Sequence, residues 1–335
     1  MAQVQKESIS AQEFEKNHAE KEWRICDTGT RRIAFKHDEN NHFIIDRIEK
    51  TDKGWRELGR ITGNLPWYAG YKKGCALSDF FSGLTSASQF VRGKIEDGTI
   101  TIANPLSKKL DKLMLAAIVI EELIPIKEDV DSMVDIAYVL FTSDLSKTKS
   151  TDAYGSVGVF QTLPKTHDLI KGRYPSLVNY SFKDSDTYEE QAVVAILLAY
   201  DNLAVFNKDI FQKYGSLQVA WNSASEKEQL EFTVFVVAAM HNAPSSTLKA
   251  FKSALNVLAS GNFTLTTLMG DVARELDETT TSPVGTGTYA QRVVQLYDRL
   301  NERGFANFQI YPGEEASFVE GFKQKTKDLV YKKAK

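Results

Sequence analysis

The chain has 335 residues, of which 42% are hydrophobic and 25% are charged, and its formal net charge is −3. This is the composition of an ordinary globular protein, and the length is enough for two domains or one large one. Because the charge is close to balanced, the sequence argues against a strongly basic surface, and we expect no nucleic-acid partner.

The cysteine content and the apolar runs bear on the compartment in which the chain folds. Cys26 and Cys75 are the only cysteines, too few for a disulfide scaffold. One disulfide is possible, but we expect two free thiols in a reducing compartment. The N-terminus lacks the apolar core of a signal peptide, and the longest apolar runs, 113–120, 192–200 and 232–240, are too short to cross a bilayer. The sequence therefore predicts a protein made in the cytoplasm, without a signal peptide or a transmembrane segment.

The N-terminal part is predicted to form a small mixed α/β domain over residues 1–105. Residues 5–23 are charged and are typical of a peripheral helix or a flexible arm. Three short segments rich in β-branched and aromatic residues, 32–35, 42–45 and 99–102, are predicted strands separated by turn-forming residues. We find no chemical motif in this region.

From residue 107 onward the apolar residues recur at spacings of three and four, which predicts helices. The predicted helices cover residues 110–121, 130–140, 188–205, 226–240, 248–258, 268–276 and 289–303. A Thr- and Gly-rich loop is predicted at 279–288. The chain is therefore expected to be mainly α, with a helical domain over 106–335 behind the smaller mixed domain.

An acidic pair ends the most apolar of these helices. Glu121 and Glu122 follow eight consecutive residues that are Ala or large and apolar, so the helix is expected to be buried on every face. Apolar surroundings and the negative end of the helix dipole both favour the uncharged form of a carboxyl, which a general acid needs near neutral pH. The alternative is that one or both carboxylates are solvated at the helix end.

The segment from Gly155 to Thr166 is the second feature that points to chemistry. It reads Gly-Ser-Val-Gly-Val-Phe-Gln-Thr-Leu-Pro-Lys-Thr, in which two glycines three apart permit a tight turn that leads into a helix. A carboxylic acid opposite a Gln-bearing turn is typical of a sugar-binding cleft. We therefore expect Gln161 to lie near the acidic pair.

These residues resemble the lytic transglycosylase and goose-type lysozyme group, which has a lysozyme-like fold. The group carries Ala-Ile, three residues and then the catalytic Glu, and Ala117-Ile118 places Glu122 there. Its Gly-Ala-x-Gly-Leu-Met-Gln-x-Met-Pro-x-Thr motif matches residues 155–166 in all but conservative detail.

Two further stretches carry the same resemblance. The group's Ala-Tyr-Asn-Ala-Gly motif is similar to Met-His-Asn-Ala-Pro at 240–244, and its Tyr-Val-x-x-Val helix start is similar to Tyr-Ala-Gln-Arg-Val at 289–293. All four stretches occur in the group's order, and together they span about residues 110–300.

The resemblance implies a peptidoglycan-cleaving lytic transglycosylase with a lysozyme-like domain over 106–335. Glu122 takes the place of the catalytic acid, and Glu121 stays a rival because Leu123 replaces the serine that usually follows that acid. The residues implied in binding the glycan strand are Gly155, Ser156, Gly158, Val159, Gln161, His241, Asn242 and Tyr289.

The implied reaction uses one acid–base residue. The Glu protonates the oxygen between MurNAc and GlcNAc, and the substrate's acetamido group stabilises the positive charge that develops on the sugar. The same Glu then deprotonates the sugar's 6-hydroxyl, which attacks internally and leaves an anhydro-muramic end. No cofactor is implied, and the five histidines show no paired metal-ligand spacing, so no metal is predicted.

Two other functions stay open from the sequence. A lysozyme-type hydrolase uses water and needs a second carboxylate, for which Asp144 or Asp152 could serve. A non-catalytic virion structural or wall-binding protein is the other, because Leu123, His241 and Pro244 depart from the group's motifs.

The setting of such an activity also follows from the resemblance. Peptidoglycan lies outside the cytoplasm, and a phage origin explains how a chain without a signal peptide reaches it. We expect a virion-associated protein that contacts other virion proteins through residues 1–105. An endolysin released through holin pores is the alternative.

Overall fold

The computed structural model is mainly helical and carries a small antiparallel sheet near the N-terminus. It describes residues 8–20, 22–27, 29–37, 42–64, 76–101, 104–124, 129–140, 158, 160–179, 188–258, 263–280 and 285–304.

The sheet has five antiparallel strands in the order β1-β5-β4-β3-β2. The strands are β1 (Ser8–Ile9), β2 (Arg24–Asp27), β3 (Arg31–His37), β4 (His42–Thr51) and β5 (Gly54–Asn64), and helix α1 (Ala11–Asn17) follows β1. Side chains alternate between the two faces, as the strand repeat requires. Phe35 and Ile45 face the main core, whereas Ala34 and Ile48 pack with Phe14 of α1 on the other face.

The strand predictions are confirmed in part. The predicted strands 32–35 and 42–45 lie within β3 and β4, and a helix forms within residues 5–23. The strand predicted at 99–102 is wrong for the described residues 99–101, which form a bend. Asp97 accepts a hydrogen bond from the Thr99 backbone N–H at 2.9 Å, and this turn chemistry ends the preceding helix.

Cys26 lies buried in β2 and is disulfide-bonded. The prediction of two free thiols is therefore wrong. The number of cysteines in a sequence does not show whether the fold brings them within bonding distance. The other cysteine, Cys75, lies outside the described residues.

Ten further helices follow the sheet within the described ranges. They are α2 (Ala76–Glu96), α3 (Lys112–Leu123), α4 (Val130–Leu140), α5 (Pro164–Arg173), α6 (Tyr188–Phe206), α7 (Gly215–Ser223), α8 (Glu226–Asn242), α9 (Pro244–Leu258), α10 (Leu265–Thr279) and α11 (Thr286–Glu302). Each predicted helix corresponds to one of these, and the helix start predicted at the end of segment 155–166 is that of α5. Helices α2 and α7 were not predicted. The connection between α10 and α11 is shorter than the loop predicted at 279–288, because α10 ends at Thr279 and α11 begins at Thr286.

Helix α3 lies at the centre of the helical part. Every residue from Leu113 to Ile120 is buried, which explains why its apolar residues follow no single face. Helices α11, α8, α4 and α2 pack around it. Helix α2 also packs against α6, and the inner face of the sheet shares the same hydrophobic core, so the core is continuous across residue 105.

A buried carboxylate joins the sheet to the helices. Asp135 of α4 is 0% exposed and accepts hydrogen bonds from Arg31, from Arg47 at 3.0 Å and from Arg303 at 2.9 Å. Two of these arginines come from β3 and β4, and Arg303 follows α11. One anion therefore holds three separate parts of the chain together.

The close contact between α10 and α11 depends on Gly287. A Cβ at this position would lie 1.9 Å from the backbone oxygen of Ala273, which cannot move aside as a flexible side chain could. The same stretch receives its helix cap from α10, because Asp277 accepts hydrogen bonds from the backbone N–H groups of Gly287 and Thr288.

Replacing Gly287 with Ala is expected to lower the free energy of unfolding by about 1–3 kcal/mol or more, because the new methyl overpacks a backbone contact. Urea unfolding checks this. Gly270→Ala in the interior of α10 is the matched control, since its Cβ would meet nothing within 4 Å. That variant is expected to be neutral or stabilised by about 0.5–1 kcal/mol. Equal stability of the two variants would contradict the packing described here.

Candidate functional site

Glu121 and Glu122 end α3 in two different environments. Glu121 is 1% exposed, and both of its carboxylate oxygens lie 3.2–3.3 Å from Nε of Arg292. A second nitrogen of Arg292 contacts Sδ of Met133 at 2.7 Å. Glu121 is thus part of a buried ion pair that joins α3 to α11.

Glu122 is only partly buried, and it faces Tyr289 and His241. Tyr289 is 7% exposed, and within the described structure its hydroxyl makes no hydrogen bond of standard geometry. Burial raises the pKa of Tyr289 well above its ordinary value of 10, and the neighbouring Glu122 carboxylate raises that pKa further. Tyr289 therefore keeps its proton and is available to donate a hydrogen bond toward Glu122.

His241 connects this group to the Gln-bearing turn. Burial of the imidazole lowers the pKa of His241 below 6.5, although the nearby Glu122 and a hydrogen bond to the backbone of Phe160 oppose that shift. Because the shift is downward, the imidazole is neutral near pH 7. Phe160 is itself fully buried, so the turn is anchored beside His241.

The Gln-bearing turn is held by left-handed backbone conformations. Gly158 has φ +78°, and a Cβ there would lie 2.0 Å from Oε1 of Gln191 on α6. Gln161 has φ +46°, and its Nε2 donates to the Gly158 carbonyl at 2.8 Å. The side chain of Gln161 thus closes the turn on itself.

Asn242 at the end of α8 has a structural contact. Its Oδ1 accepts a hydrogen bond from the hydroxyl of Thr286 at 2.9 Å. Thr286 begins α11, three residues before Tyr289. Asn242 therefore helps to place the helix that carries Tyr289.

The structure thus brings together five of the sequence-predicted residues: Glu122, His241 and Tyr289, and Gly158 and Gln161 of the turn. Glu121 and Asn242 lie on the same helices as members of this group, next to Glu122 and His241. The remaining predicted residues, Gly155, Ser156 and Val159, lie outside the described residues, as do Asp144 and Asp152.

Sequence reasoning missed Arg292 and Gln191. Arg292 lies one helical turn after Tyr289, so both face α3, and this spacing is the signal that could have identified it. No sequence pattern identifies Gln191, because its contact with Gly158 forms only when the folded chain brings α6 against the turn.

No group of three or more His, Cys, Asp or Glu side chains suited to a metal ion occurs in the described part of the chain. Among the described helices, none is both long and apolar enough to span a membrane. Comparisons with protein-family models, with curated proteins and with solved structures give no match to this chain.

The neutral state of His241 predicts a pH dependence of stability. In the unfolded chain this histidine takes up a proton near pH 6.5, whereas its folded pKa is lower, so stability is complete above about 6.5 and falls as the pH is lowered. Melting temperatures at about pH 7.5 and about pH 5.5 measure the loss.

The variant His241→Gln is expected to lose less on acidification than the wild type. Part of the loss should persist in the variant, because burial also lowers the pKa of His167. An unchanged pH dependence in His241→Gln would show that this imidazole is not buried in its neutral form.

Proposed function

We propose that the protein cleaves peptidoglycan as a lytic transglycosylase, with Glu122 as its single acid–base residue. The observation that carries this proposal is the meeting of Glu122, Tyr289, His241 and the Gly158–Gln161 turn at one partly buried place. These come from four separate stretches of the chain, and each stretch resembles a motif of that enzyme group.

Glu122 is the better candidate for the acid than Glu121. Glu121 is 1% exposed and forms an ion pair with Arg292, so it has no access to a sugar. Glu122 is partly exposed and so can reach a substrate. Glu121 and Arg292 then serve to fix the end of α3 against α11.

The proposed reaction has two steps at Glu122. Its carboxyl proton passes to the glycosidic oxygen as that bond breaks, and the substrate's acetamido group stabilises the sugar cation. The resulting carboxylate then removes the proton from the 6-hydroxyl as that oxygen bonds to the anomeric carbon. Glu122 ends the cycle protonated, and no water is consumed.

The neighbouring residues support these steps. Tyr289 stays protonated, so its hydroxyl can donate to the Glu122 carboxylate between the two steps. The pKa of His241 is lowered by burial, so its imidazole is neutral near pH 7 and is not the acid of the proposed reaction. Backbone groups of the Gly158 turn are the proposed partners of the sugar's acetamido group.

A non-catalytic wall-binding or virion structural role is the second candidate. The observation that favours it is that two polar side chains implied in substrate binding are used internally, Gln161 by the Gly158 carbonyl and Asn242 by Thr286. In either case we propose a virion-associated protein, with the N-terminal sheet region as the part that contacts other virion proteins.

Digestion of purified peptidoglycan by the full chain tests the proposal. A lytic transglycosylase is expected to release muropeptides with anhydro-muramic ends, each lighter by one water than the product of hydrolysis. Reducing ends would instead assign a lysozyme-type hydrolase. Binding to the walls without release of fragments would assign the non-catalytic role.

A further inference from the structure

A pocket lies at the opposite end of α3 from Glu122. It is formed by α2, the 3₁₀ turn Ser107–Lys109, the start of α3 and α6, and it has a volume of about 620 Å³. Lys112 lines this pocket, and Glu122 is ten residues further along the same helix, a distance of about 15 Å at 1.5 Å per residue. The pocket is therefore separate from the candidate catalytic site.

Apolar side chains form much of the wall of this pocket. The apolar and aromatic residues that line it are Ile95, Leu110, Leu115, Ile196 and Tyr200. Burial raises the pKa of Tyr200, as expected for a phenol in such surroundings. Pockets of this size with apolar walls and a few polar groups are the usual form of a small-molecule site.

The charged side chains that line the pocket include more cations than anions. Arg92, Lys108 and Lys112 line it together with two carboxylates, Glu96 and Asp111. Glu96 accepts from Arg92 at 3.1 Å. Asp111 caps α3 by accepting from the backbone N–H groups of the helix start. Three cations and two carboxylates give the lining residues a formal charge of +1.

Two polar side chains lie at the junction of the 3₁₀ turn and α3. Burial lowers the pKa of Lys112, whose Nζ donates to Oγ1 of Thr85 at 3.2 Å. Ser107 is 3% exposed, and its Oγ is buried without a hydrogen-bond partner within the described residues. A buried hydroxyl without a partner is unfavourable, and an acceptor oxygen on a ligand would satisfy it.

We propose that this pocket binds an amphiphilic anion, with a carboxylate head at Lys112 and Ser107 and an apolar body against Leu115 and Ile196. The positive charge selects the head, and the apolar walls select the body. A free carboxylic acid with a linear hydrocarbon chain is the simplest ligand of this chemistry.

Isothermal titration calorimetry with dodecanoate, below its micelle threshold, tests this site on the full chain. The wild type is expected to bind with one site, and dodecanol, which has no charge, is expected to bind at least tenfold more weakly. Lys112→Met is expected to weaken dodecanoate binding roughly ten- to hundredfold, since a charged hydrogen bond is lost. Ser107→Ala should weaken binding less.

Lys109→Met is the matched control. Lys109 is adjacent in the 3₁₀ turn but pairs with Glu226 and does not line the pocket, so dodecanoate should bind this variant as it binds the wild type. Absence of saturable binding to the wild type, or equal affinity for dodecanoate and dodecanol, would overturn the proposal. The comparison of the two ligands uses only the wild-type chain, so it stays decisive if a variant fails to fold. The readout does not involve peptidoglycan, so its result is independent of the proposed cleavage activity.

Discussion

Replacing Glu122 with Gln is expected to lower the rate of peptidoglycan cleavage by about a hundredfold to ten-thousandfold, because the variant loses its only proton donor. The amide has nearly the same shape and cannot transfer the proton, so folding should be unaffected. Release of soluble muropeptides per unit time, measured at equal concentrations of folded protein, gives the rate.

Two comparison variants make this result specific. Glu278→Gln removes an exposed carboxylate at the end of α10 and should leave the rate unchanged. Glu121→Gln weakens the ion pair with Arg292, so it should lower the melting temperature and reduce the rate less than Glu122→Gln does. If Glu121→Gln eliminated cleavage and Glu122→Gln did not, the assignment of the two residues would have to be exchanged.

The largest effect on stability is expected at Asp135. Asp135→Asn keeps the shape of the side chain but removes the fully buried negative charge that Arg31, Arg47 and Arg303 share. Arg31 and Arg303 keep Asp131 as a partner. Loss of the buried charge that all three arginines share is expected to cost about 3–5 kcal/mol of unfolding free energy. Urea unfolding, followed by circular dichroism, measures this loss.

Asp271→Asn is the control for that experiment. Asp271 pairs with Arg274 on the surface of α10, where the side chain of Arg274 is 69% exposed, and exposed pairs contribute about 0–1 kcal/mol. If the two variants were destabilised equally, Asp135 would not hold the sheet against the helices.

The helices could be predicted from the sequence because their signals are local. The apolar run at the centre of α3 predicts a buried helix, and the structure buries it. Helix α2 was missed because serines and glycines interrupt its apolar pattern. Strand β5 was missed for a related reason: it contains three glycines and several charged residues, so its alternation is hard to detect.

The site residues could be predicted only where they lie within a short continuous motif. Glu122, Gln161, His241 and Tyr289 each lie in a short recognisable stretch. The pairing of Glu121 with Arg292 joins residues 171 positions apart, and the contact of Asn242 with Thr286 depends on how α8 and α11 meet. The disulfide at Cys26 likewise depends on tertiary structure, which composition does not specify.

A crystal structure of Glu122→Gln with a bound GlcNAc–MurNAc oligosaccharide tests the central claim most directly. The glycosidic oxygen is predicted to lie within hydrogen-bonding distance, about 2.6–3.2 Å, of the side chain at position 122. The acetamido group should contact the turn at Gly158 and Gln161. A saccharide bound elsewhere, with residue 122 in contact only with protein or solvent, would contradict the account.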